Sequence, residues 1–248
     1  MLLVFLGIVI LLGLETRDAS AQSRTRIWDV KFGQPVTALP LEEFVDPACG
    51  TNGGPPSLPL KGFEDYARCP VEEETGLHEI WFIYDDEWEY VARAQREEAV
   101  IKRYSANVFF TQPIITSLLI DEAGLVQGYR VVTDPRAPAD VRIEAYIVSA
   151  ALKTLLGGTT WVCVDLPRGE REEPIALTFV KESCKAISVD GARMSKLETR
   201  HLHKAGQDLR VNPRNLDEAV GDFESSARLE MYNFQAVKHL PCCRTPGP

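Results

Sequence analysis

The chain has 248 residues, 45% hydrophobic and 25% charged, with a formal net charge of -9. This composition excludes a disordered chain and suits one large domain, or two small ones, with a sizeable core. The negative charge argues against nucleic acid or an anionic membrane as a bulk electrostatic partner.

Leu2 to Leu14 is an unbroken apolar run, and Ala19-Ser20-Ala21 after it has the small-x-small pattern of a signal-peptidase site. Thirteen apolar residues reach about 20 Å as a helix, short of the roughly 30 Å hydrocarbon core. Residues 1–21 are therefore expected to be a signal peptide, leaving a periplasmic or secreted mature chain with no transmembrane segment. Residues 22–237 are expected to form one domain, divisible into 22–135 and 136–237, and 238–248 a loose tail.

From Gln22 onward, Ile27 to Gly33 alternates like a strand, and Pro35 to Phe44 has room for a short helix. Cys49 to Ser57 is a loop by its glycines and prolines. Its spacing is not that of a P-loop, and two prolines remove amide donors, so a pinned loop is favoured over a phosphate site. Leu77 to Tyr84 reads as a buried strand. A helix is expected from Asp85 to about Tyr104, with Asp86 and Glu89 at capping-box spacing and Trp88, Val91, Gln95 and Ala99 facing inward.

The most legible stretch runs from Ile114 to Gly158. Ile114–Ile120 and Leu125–Thr133 are β-rich runs around the polar turn Asp121-Glu122-Ala123-Gly124, which predicts a hairpin. Pro138 and Asp140 then open a helix with Val141, Ala145, Val148, Leu152 and Leu155 on one stripe, closed by Gly157-Gly158. Strands follow at Trp161–Leu166 and within Ile175–Val189, Met194–Ala205 and Phe223–Tyr232, the last alternating apolar and polar, with a polar loop at Pro213–Gly221. The expected fold class is α+β: a mostly antiparallel sheet with two main amphipathic helices packed on it.

Phe32-Gly33 before a short helix, and the Cys49 loop, give a layout that resembles secreted modules like β-lactamase inhibitor protein. In those a helical segment and a Cys-bridged loop pack on an antiparallel sheet. The resemblance covers about a quarter of the chain and assigns no functional residue.

Six cysteines in an exported chain read first as disulfides. Neighbours in sequence pair most simply, Cys49 with Cys69 and Cys163 with Cys184, each closing about 20 residues and contributing roughly 3 kcal/mol. Cys242-Cys243 remain without an assignment.

His201-Leu202-His203 is the sharpest candidate for chemistry, because residues two apart on a strand share a face and both imidazoles can meet one metal. Arg200 and Lys204 flank the pair and oppose a cation. The nucleophile elbow, Cys-x-x-Cys and Rossmann glycine patterns are missing from the sequence. No catalytic residue and no cofactor are therefore assigned. The expected function is a non-catalytic binding or accessory protein of the bacterial envelope, its partner another protein or envelope component. The alternatives are an envelope hydrolase or metal-binding protein using His201 and His203, and a binder with a small-ligand pocket between helix and sheet.

Overall fold

The computed structural model describes residues 25–85, 87–97, 107–157, 160–204 and 223–238. The signal segment, the end of the first expected helix, the Pro213–Gly221 loop, and Cys242 and Cys243 lie outside them.

Ten strands form one antiparallel sheet among these residues. They are β1 (Phe44–Cys49), β2 (His78–Tyr84), β3 (Val108–Phe109), β4 (Gln112–Ile120), β5 (Val126–Thr133), β6 (Val162–Asp165), β7 (Glu172–Glu173), β8 (Val180–Ile187), β9 (Arg193–Lys204) and β10 (Glu224–Asn233). The spatial order is β1-β2-β4-β5-β10-β9-β8-β6, with β3 beside β4 and β7 beside β9. Two meanders thus meet edge to edge where β5 pairs with β10, Val131 opposite Leu229 and Tyr129 opposite Met231.

The α+β expectation with two main packed helices is corrected: the molecule is mostly antiparallel sheet with few helices. The described side chains of helix α1 (Glu87–Gln95) are all exposed, Tyr90 at 74% and Val91 among them. Asp85 Oδ1 accepts from Glu87 N at its start, while Asp86 and the side chains of Trp88 and Glu89 lie outside the description.

The second expected helix is broken into α2 (Ala139–Arg142), a 3-10 turn (Ala145–Ile147) and α3 (Val148–Leu155). The break has a visible cause. Ser225 of β10 donates its hydroxyl to Ile143 O at 2.9 Å and accepts from Tyr146 N at 3.2 Å, taking backbone groups that a continuous helix would pair. Val148 and Leu152 still reach the core, but Leu155 is exposed.

Ile27–Asp29 is a 3-10 turn rather than a strand, because Asp29 reaches back to accept from Arg26 N at 3.0 Å. Only Val36–Ala38 of the Pro35–Phe44 stretch is helical, again as a 3-10 turn.

One sheet face is apolar. Phe82, Leu118, Tyr129, Val131, Leu197 and Leu229 meet Ile27, Val36, Phe63, Val148 and Leu152 in a single cluster. On β10 the alternation places Ala227, Leu229 and Met231 in that core and turns Arg228, Glu230 and Tyr232 to the opposite face. No described helix is long and apolar enough to cross a membrane.

Candidate functional site

The second face of the sheet holds a groove of about 570 Å³ at the seam between the two meanders. That size suits a small polar ligand. Its floor is Arg130 on β5, 2% exposed and clamped by three carboxylates. Arg130 donates to Glu72 at 2.7 and 3.2 Å and to Glu230 at 3.0 Å, and its Nη1 lies 2.8 Å from Glu79. Burial works against the guanidinium charge, but the hydrogen bonds it donates to Glu72 and the charges of Glu79 and Glu230 outweigh it and raise its pKa above the usual arginine range.

The walls alternate in charge. Arg228 bonds Glu230 at 3.0 Å through Nε, Lys196 sits 3.8 Å from Glu230 and 3.6 Å from Glu198, and Arg200 is 3.0 Å from Glu224. Of these pairs Lys196 and Glu230 face each other directly across β9 and β10, Arg200 and Glu224 meet diagonally, and the other two join residues two apart on one strand. Burial pushes the Glu230 carboxyl up, yet Arg228, Arg130 and Lys196 prevail and hold it at about 2. Tyr232 donates to Glu230 Oε2 at 2.9 Å, and burial and that carboxylate's charge keep its phenol protonated. Glu230, Tyr232 and Arg130 are thus locked in their ordinary protonation states. None of the three is poised to exchange a proton near neutral pH.

The glycine-rich loop proves to be the rim of this groove. Asn52 N and Gly53 N donate to Glu79 at 2.5 and 3.2 Å, so its amides do bind an anion, the protein's own. Gly50 is required by close approach, since a Cβ there would sit 2.3 Å from Glu79 Cγ. Asn52 in turn accepts from Arg228 through its backbone and side-chain oxygens at 2.6 and 2.5 Å. The Cys49–Cys69 disulfide closes the loop, and the turn that follows it delivers Glu72 to Arg130.

Comparison with protein-family models, curated proteins and solved structures finds no match to this chain. The groove geometry therefore carries the functional reading alone.

The two histidines singled out in the sequence lie on β9 but in different settings. His201 is buried, its ring 4.1 Å from that of Tyr146 and its Nδ1 3.4 Å from Ser225 Oγ. Burial lowers its pKa and keeps the imidazole neutral. The Ser225–His201 contact is not an activated nucleophile, because the serine hydroxyl is committed to Ile143 O. His203 is half-buried, with Nε2 3.8 Å from Glu173.

Among the described residues, the one group of three possible metal donors is Cys163, Glu182 and Cys184. Its two sulfurs are joined in a disulfide. His201 and His203 do not fall in such a group among the described residues.

Sequence reading missed the groove. Its signal was present as the alternating charges of Glu224, Arg228, Glu230 and of Lys196, Glu198, Arg200, but such a row also describes an ordinary wet sheet face. Arg130 and Glu79, inside strand-like runs, were the sharper sign, since a charged residue in a buried strand needs a partner.

Proposed function

We propose that this protein is a non-catalytic binding or accessory protein, exported to the bacterial envelope or beyond, that holds a hydrophilic charged ligand in the groove above Arg130. Two disulfides support an oxidising compartment. The observation that carries the binding reading is the rigid, fully charged floor: a buried arginine held by three carboxylates, with the glycine loop fastened over it by Glu79 and Arg228. Such a surface is organised before a ligand arrives, which lowers the entropy lost on binding. The lining carries six glutamates against four cations, so a ligand with amino groups is favoured over a pure anion.

The test is a thermal-shift screen of the mature protein against short basic peptides, polyamines and anionic sugars at low and high salt. A salt-sensitive upward shift with an amine-bearing compound, abolished by Glu198→Gln or Glu224→Gln, is expected. A panel without shifts, or a shift unchanged in those variants, overturns the reading.

The competing reading, an envelope hydrolase or metal-binding protein using His201 and His203, has less to stand on because His201 is enclosed by Tyr146 and Ser225. Metal analysis of the purified protein tests it: bound zinc lost on changing both histidines would restore it.

A further inference from the structure

The two disulfides sit in opposite environments. Cys49 and Cys69 are 1% and 3% exposed and belong to the main core. Cys163 is exposed, on an edge strand whose four residues are all exposed, and only its partner Cys184 is buried. The bridge joins directly opposed residues of β6 and β8. Lys153 on α3 places its ammonium 3.4 Å from Cys163 Sγ, held there by Glu182 at 2.7 Å.

We propose that Cys163–Cys184 is a thiol-exchange site opened by an external dithiol, while Cys49–Cys69 is a permanent structural bridge. The first thiolate attacks the exposed Cys163 sulfur. A mixed disulfide forms, the Cys163–Cys184 bond breaks, and its electron pair leaves on the Cys184 sulfur, which takes up a proton. The second thiol of the reagent then attacks its own partner sulfur and releases Cys163 as a thiolate. The dithiol ends as a disulfide and the protein gains two electrons. Lys153 acts in both steps, drawing the incoming anion and stabilising Cys163 as it leaves. Reduction removes the covalent tie between β6 and β8 and leaves their short ladder, which loosens that edge of the sheet. This inference is independent of the groove and its ligand.

Titration of the native mature protein with dithiothreitol, quenched by alkylation and read by peptide mass mapping, tests it. Cys163 and Cys184 are expected to label together at a reductant concentration about tenfold or more below that needed for Cys49 and Cys69. Labelling of all four at one concentration, or of Cys49 and Cys69 first, overturns the proposal. Lys153→Met is expected to slow opening roughly threefold or more at low salt, with Lys153→Arg near the original rate. Equal rates in all three proteins, each shown folded by circular dichroism, would remove Lys153 from the mechanism.

Discussion

Arg130 is the residue on which the second face turns. Three acidic partners surround it, two of them, Glu79 and Glu230, buried with it. Removing the cation strands negative charge in a place that water does not reach. Arg130→Met should therefore lower stability by about 3–5 kcal/mol, read as a fall in the urea midpoint. A double change that also replaces Glu79 by Gln should recover part of the loss.

Glu230 gives the matching acid dependence. Its folded pKa of about 2 lies below the ordinary carboxyl value of 4.5. The folded state thus binds fewer protons than the unfolded state between those values. Its contribution is present above about pH 4.5 and disappears as pH falls toward 2. Acid unfolding followed by circular dichroism should show a steep loss in that window. Glu230→Gln should flatten it while lowering stability at neutral pH.

At the scale of elements, the β4–β5 hairpin was legible because local chemistry alone determines it. Asp121 Oδ1 accepts from Ala123 N and Leu125 N, both at 2.9 Å, and Gly124 takes φ +76°. The β10 alternation was legible for the same reason. The helix after Pro138 was not, since its apolar stripe is continuous in sequence and the interruption comes from Ser225, 82 residues from Ile143. No window around Ile143 contains that information. Ser225→Ala should cost roughly 1–2 kcal/mol by leaving Tyr146 N without its partner and Ile143 O with the His201 ring alone. Hydrogen exchange should show faster loss of the Tyr146 amide than of amides in α3.

The acidic start of the first helix predicts its initiation, and little in the pattern foretells the break after Gln95. Among the described residues it ends at Gln95, and Arg96 takes φ +59°. The groove was the least legible feature. Arg130, Glu230 and Asn52 converge from β5, β10 and the bridged loop, and the Asn52–Arg228 contact spans 176 residues.

Across the whole molecule, the Cys49–Cys69 bridge couples the rim of the groove to its floor, since the Asn52 loop lies within it and Glu72 follows it. Replacing both cysteines with alanine should lower stability by about 3 kcal/mol. It should also weaken any ligand that the thermal-shift screen identifies. Replacing Cys163 and Cys184 should leave that ligand's affinity unchanged, because β6 is three strands from β10.

The seam between the meanders also has a bearing on how the molecule is made. β10 is the last described strand in sequence yet sits at the centre of the sheet, hydrogen-bonded to β5 on one side and β9 on the other. A polypeptide delivered amino end first has only two unjoined fragments, each with a naked inner border, until residues 224–233 arrive. Closure of the sheet therefore waits for the long-range pairing of residues 224–233, which makes it the late step of folding.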